Sequence, residues 1–417
     1  MSTIDNEVFA RYLSSDGSLK EVAGRGKSRA ADMMNANQHQ TACQTPAADR
    51  RFTVRLSPTL SLAEEIDTAR RAGQSVLSLS TPTFPEITEA NALDFAFSNK
   101  LTPAEGLAPL RKAAREEFFG RWLLPEHQLF ISAGAKIAEF AAMRALLPEQ
   151  STVLIVGPAW PSYEDIVRMA GHYPVMLPLD PTDNFSIGSL AVTEAFEKSD
   201  AAAMILSNPC NPTGRVHNGD ELSILLAEAE RRGAILMVDE SFSNVMFDAS
   251  AWQSAVARPS ANLLLFNSFS KNYHLQGMRV GVCMAHEGIY KQIVAAHQTL
   301  MSSAPSLSQA AALATLRHGD SIPASSTYGA ARAIALEIVE RTGWPCSPNQ
   351  GTFYLFPKLS DASNTLVRMR GEGLFLLKGD AFGACYGDHF RFCFGRPEEE
   401  MMEIRRRLER AGLLERR

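Results

Sequence analysis

The sequence predicts an α/β protein with a large domain on a mostly parallel, helix-covered sheet and a second, smaller α+β domain. Three observations lead there. Short apolar runs alternate with helical stretches from about residue 105 to about residue 300. An Ala-rich helical stretch after Ser302 ends that alternation and opens a new unit. The length of 417 residues, at ~150 residues per domain, asks for more than one core.

In chain order, residues 1–55 are rich in Ser, Ala, Asn and Gln and read as an N-terminal arm or lid. Residues 56–100 supply the first part of the smaller domain, which residues 305–417 complete; the large domain takes 101–304. Apolar periodicity predicts helices at 107–119 and 135–147, and apolar runs predict strands at 129–131, 152–156, 203–206, 235–238, 263–266 and 280–284. Further strands are expected at 351–356, 374–377 and 389–394, then a charged amphipathic helix at 398–408.

Charge and cysteines exclude several classes. Lys plus Arg is 41 against 46 Asp plus Glu, a net charge of -5, so no basic excess serves a nucleic acid backbone. No apolar run approaches the ~20 residues of a membrane span and no signal peptide is visible, so a cytoplasmic protein is expected. The six cysteines are scattered, without metal-ligand spacing, and are read as free thiols. No metal site is expected.

The chemistry concentrates at predicted strand ends. The segment 267–279, NSFSKNYHLQGMR, puts Lys271 between hydroxyls at the end of an apolar strand, with Arg279 eight residues on. A charge placed there is costly unless something uses it. Asn211 lies in NPCNPTG after the 203–206 run, Asp239 ends the 235–238 run, and Gly134, Ala135 and Lys136 open a helix after 129–131. In a parallel sheet such ends face one crevice.

With these motifs in this order, residues of roughly 75–410 resemble the fold-type I pyridoxal phosphate enzymes, specifically the class I/II aminotransferases. The resemblance implies a pyridoxal 5′-phosphate cofactor, a homodimer with interfacial sites, and transfer of the amino group of an L-amino acid to a 2-keto acid. Lys271 resembles the lysine that forms the Schiff base and moves the Cα proton, and Asp239 the carboxylate that partners the pyridine nitrogen. Asn211 is similar to the donor to the ring hydroxyl beside the substrate. Gly134, Ala135 and Lys136, with Ser268, Ser270 and Arg279, match the phosphate site. Trp160 matches the aromatic over the ring, and Arg391 the clamp on the substrate carboxylate.

The chain departs from the family pattern at several points. Phe242 stands where a tyrosine usually donates to the ring hydroxyl, which implies a Schiff base that stays protonated to higher pH. Leu101 stands where a tyrosine usually reaches the neighbouring subunit's phosphate. Ser80 to Phe84 replaces a Gly-x-Pro-Asp-Phe-like segment, and Lys378 an expected proline. These changes are expected to ring the active site and keep open an alternative: a biosynthetic enzyme with the same cofactor doing elimination, replacement, cyclisation, decarboxylation or oxidation. Tyr273 and His274 read as helix-start or packing residues, and Glu240 as structural. A DNA-binding regulator would need a longer module than residues 1–55, and a nicotinamide dehydrogenase a G-x-G-x-x-G after a strand.

Overall fold

The computed structural model describes residues 57–84, 98–120, 125–248, 252–258, 260–318 and 324–414. The arm expected at 1–55 lies outside the described residues, as does Cys43.

The strands are β1 (Leu77–Ser78), β2 (His127–Ser132), β3 (Thr152–Gly157), β4 (Tyr173–Pro178), β5 (Ala203–Ser207), β6 (Ile235–Asp239), β7 (Leu263–Ser268), β8 (Gly281–His286), β9 (Tyr354–Leu355), β10 (Leu374–Phe375) and β11 (Phe392–Cys393). The α-helices are α1 (Pro58–Arg71), α2 (Ala108–Phe119), α3 (Ala135–Leu146), α4 (Ser162–Met169), α5 (Ser189–Ser199), α6 (Gly219–Arg232), α7 (Phe269–Asn272), α8 (Glu287–Met301), α9 (Ser306–His318), α10 (Ala324–Thr342), α11 (Ala362–Gly371) and α12 (Glu398–Arg410). None of the described helices is long and apolar enough to cross a membrane.

Seven strands form one sheet in the order β2-β8-β7-β6-β5-β3-β4, parallel except for β8, which runs against both its neighbours. The apolar runs are continuous because both faces are covered. Leu154, Val156, Met204, Leu206, Leu236 and Val238 enter one apolar cluster. Their alternates Val153, Ile155, Ala203, Ile205 and Met237 enter the cluster on the opposite face, under α3 and α4. Strand β4 escapes the sequence reading because Pro174 and Pro178 interrupt its pattern; among the described residues it pairs only with β3, and proline is tolerated on such an edge.

The C-terminal strands are shorter than expected. β9 pairs antiparallel with β11 and β1 parallel with β10, two residues each. Thr352 at φ 57 and Pro357 bound the first of these, so burial in 351–356 comes from packed rings rather than from a ladder. A third apolar cluster collects them: Phe242, Tyr328, Phe353, Tyr354, Phe390, Phe392 and Phe394, closed by Met401, Ile404 and Leu408 of α12.

Helix ends are set locally. Asn218 caps α6 by accepting from the Asp220 and Glu221 amides while Glu221 reaches back to the Asn218 amide, and Gly233 ends the helix at φ 64. This places β6, and Asp239 at its tip, firmly in the sheet centre.

Candidate active site

Strand pairing brings the polar clusters onto one rim. Ser132 at the end of β2 and Ser268 at the end of β7 both stand opposite Gly281, the first residue of β8. Asp239 stands between Ser207 of β5 and Phe266 of β7. A Cβ at Gly281 would lie 2.6 Å from the Ala135 nitrogen, so only glycine lets the start of α3 sit directly on β8.

The first element of the site is an anion cradle. Gly134, at φ 87, precedes α3 without any side-chain cap, leaving the first amides of the helix to an outside acceptor. A Cβ there would meet Arg279 Nη2 at 2.6 Å. The Arg279 guanidinium, on a residue at φ 53, donates to the Gln276 carbonyl at 3.1 Å and to Ser270 Oγ at 3.4 Å. Ser268 Oγ accepts from the Ser270 amide at 3.1 Å and orients that hydroxyl. The Lys136 ammonium donates to Ser162 Oγ at 3.2 Å and lies 4.6 Å from the Trp160 ring centroid, so what this residue offers the cradle is its helix-start amide.

The second element is a buried carboxyl. Asp239 accepts from Tyr163 Oη at 2.8 Å on one oxygen and from the amide and hydroxyl of Ser241, at 3.0 and 2.5 Å, on the other. Burial raises its pKa and these hydrogen bonds oppose the rise. Tyr163 sits one helical turn after Trp160, and the two rings meet edge-on at 5.4 Å. The i, i+3 spacing from Trp160 was the available sequence signal for Tyr163. Tyr163→Phe is expected to cost about 1.5–3 kcal/mol of stability at neutral pH by removing a donor to a buried charge; urea unfolding measures it.

Behind this carboxyl is one the sequence reading missed. Glu139 of α3 is fully buried, and neither of its oxygens has a hydrogen-bond partner among the described residues. Burial and the charge of Asp239 push its pKa well above the ordinary 4.5. The unfolded chain loses this proton near pH 4.5 while the folded chain keeps it, so the penalty on folding is absent below that pH and grows above it. Glu139→Leu is therefore expected to stabilise the protein by about 1–3 kcal/mol at pH 7, with the gain shrinking toward pH 4; paired melts at the two pH values check it.

The third element is cationic. Lys271, in the single turn of α7, is only partly exposed; its amine lies 4.7 Å from the Phe84 ring centroid. Burial, then the Arg391 and Arg279 charges, lower its pKa to about 8 against an opposing effect of Cys393. Arg391 is 2% exposed. It donates to Asn211 Oδ1 at 3.0 Å and to the Ser80 carbonyl at 2.6 Å, and lies over Tyr354 and Phe382. Ser80 Oγ in turn donates to the Arg391 carbonyl. With Oδ1 engaged, the Asn211 amide nitrogen is left to donate elsewhere.

The departures fall out differently from one another. Phe242 is buried against Phe353 and Tyr354 at 5.4 and 5.8 Å, so its ring belongs to the aromatic core rather than to the rim. Leu101 is 79% exposed. Lys378 pairs with Asp380 at the surface. Tyr273 turns away, bonding Glu117 and Asn244. Glu240 accepts from Ser254 Oγ and the Ala255 amide, a structural cap whose burial raises its pKa to about 8. His274 is not a packing residue alone, since its imidazole bonds Tyr328 beside Phe84.

An anion cradle, a buried carboxyl, an oriented amide, an accessible indole and a lysine of lowered pKa are the donor set that pyridoxal phosphate requires, and they stand on a fold-type I scaffold. Residues 73–408 match the family model Aminotransferase class I and II. The chain belongs to that family, whose members use pyridoxal 5′-phosphate, and it is an aminotransferase. A relative from Aquifex aeolicus named "Probable aspartate/prephenate aminotransferase" is 27% identical over 394 residues, covering 87% of this chain and 98% of its own. An aspartate aminotransferase of Bacillus subtilis is 26% identical over 356 residues, 79% of this chain and 89% of its own. The aspartate aminotransferase of Thermus thermophilus solved with maleate superposes with a TM-score of 0.75 at 22% identity, covering 88% of this chain and all of that one.

Proposed function

We propose that the chain transfers the amino group of an L-amino acid to a 2-keto acid at the rim formed by β2, β5, β6, β7 and β8, with Lys271 as the lysine that carries the cofactor and moves the Cα proton. The observation that supports this most is the convergence of a lysine of lowered pKa with a buried guanidinium that has no carboxylate partner among the described residues.

In this reading Gly134, Ala135, Ser270 and Arg279 hold the phosphate, Asp239 faces the pyridine nitrogen, Asn211 donates to the ring hydroxyl and Trp160 covers the ring. Bound there, pyridoxal phosphate supplies the electron-withdrawing ring that acidifies Cα–H and stores the amino group between half-reactions. Arg391 binds the substrate α-carboxylate, for which its planar fork is suited. Tyr163 keeps Asp239 oriented. The Lys271 amine, uncharged in a large fraction near pH 8, takes the Cα proton and returns it.

We further assign residues 56–100 and 305–417 to a small domain and 101–304 to the large one, and place the protein in the cytoplasm as a homodimer. Light scattering at twice 45.6 kDa tests the dimer. The reaction is tested by adding single L-amino acids to holoenzyme without a keto acid: transfer releases one equivalent of the matching keto acid and stops, then resumes when an acceptor is supplied. Continuous turnover without an acceptor would support elimination or decarboxylation instead.

A further inference from the structure

His274 lies two residues beyond the end of α7, at φ 56. Histidine is among the few non-glycine side chains that region accepts, and here it sets where the imidazole stands. Leu275 donates its amide back to the Phe269 carbonyl at 3.2 Å, closing the turn that returns the imidazole toward Lys271. His274 Nε2 lies 2.6 Å from Tyr328 Oη. Its ring is 5.3 Å from that of Phe84, the ring over which the Lys271 amine lies.

Exposure orders these groups. Phe84, Lys271 and His274 are each partly accessible, while Tyr328 and Phe353 behind them are buried. Tyr328 and Phe84 both pack on Phe353, at 5.5 and 5.6 Å, so the pair is braced by the core. His274 thus stands between a buried phenol and the partly exposed Phe84 and Lys271, with Nε2 engaged and Nδ1 making no hydrogen bond among the described residues. Burial and then the Lys271 charge lower the imidazole's pKa, and burial raises that of Tyr328, so both effects favour the uncharged forms. An uncharged imidazole with one nitrogen free is a base.

We propose that His274, backed by Tyr328, is a second proton-accepting group of this active site, serving the substrate carbon next to Cα. The proposal rests on Lys271 handling the Cα proton. In the step, which follows loss of the Cα proton, the Cβ–H bond breaks and its electron pair would pass into the adjacent C=N bond that the bound cofactor would supply. The proton goes to Nδ1, while the Nε2 hydrogen remains donated to the Tyr328 oxygen. Return of a proton from Nδ1 reverses the step, and no oxidant or reductant is required. The substrate class is an L-amino acid with hydrogen on Cβ, and the added activity is exchange at that carbon.

The test tracks deuterium in the recovered amino acid. Holoenzyme in D2O with L-alanine and a panel of larger L-amino acids is expected to label both Cα and Cβ by proton NMR. His274→Asn, a side chain that tolerates the left-handed backbone, and Tyr328→Phe should each lower the ratio of Cβ to Cα labelling at least tenfold. Melting temperatures confirm that both variants fold. Nitrogen-15 histidine spectra of the cofactor-free protein give an independent reading and should place the proton on Nε2. Cα labelling without Cβ labelling in the native enzyme, an unchanged ratio in both variants, or a proton on Nδ1 overturns the proposal. Failure of Cα labelling with every amino acid instead sinks the assignment of Lys271, and this proposal with it.

Discussion

Lys271→Met is expected to reduce amino transfer by at least about 10⁴-fold, since one group both binds the cofactor covalently and handles the proton, and to make the cofactor-free protein more stable. The two effects share a cause. Burial, then the charges of Arg391 and Arg279, bring the amine from 10.5 down to about 8. Between those values the unfolded chain holds a proton that the folded chain does not, so stability rises with pH through the window and the cost of burying the amine is full below about pH 8. That cost is about 3 kcal/mol at ~1.36 kcal/mol per unit of pKa. Methionine keeps most of the volume and removes the charge. The variant should therefore gain close to that amount at pH 7 and nothing above pH 10.5. Reduction with borohydride should label position 271 of the native holoenzyme and leave the variant unlabelled. A variant that is less stable at pH 7 would show that the lysine is a structural group.

The parts of the fold and site legible in the sequence obey local rules. The β6 run ends in Asp239 and the β7 run leads directly to Lys271, because a strand covered on both faces must be apolar until it emerges, and the residues at its exit stand at the rim. Arg391 was legible through its motif, but its burial was not; that depends on Ser80 and Asn211, 311 and 180 residues away in the chain. Glu139 was invisible for the opposite reason: in an Ala-rich helix a glutamate reads as a solvated residue, and only the packing of α3 against the sheet turns it inward. His274 reads as a helix-start or packing residue because its side chain need not share a face with Lys271, whereas the chain turns there at a positive φ. Side chains placed by a left-handed residue obey no period, which is why pattern reading misses them.

Arg391 provides the complementary case of a buried cation whose worth lies in what it binds. It satisfies two neutral oxygens, leaves Nε without a partner, and has no carboxylate within ion-pair distance among the described residues. A guanidinium desolvated without a counter-ion is a cost to folding, so Arg391→Met, which removes the charge, is expected to hold or raise the melting temperature of the cofactor-free protein. Catalysis should suffer in proportion to a lost bidentate, charge-assisted contact in a dry site, about 3–5 kcal/mol or roughly 10²–10⁴-fold in kcat/KM. Arg391→Lys keeps the charge but not the fork, and should fall between native and Met. The loss should also be specific: amines lacking an α-carboxylate should react no worse with the Met variant than with the native enzyme. If the variants instead lose stability and activity together, with carboxylates and plain amines affected alike, Arg391 braces Asn211 and Ser80 and the carboxylate of the substrate is held elsewhere.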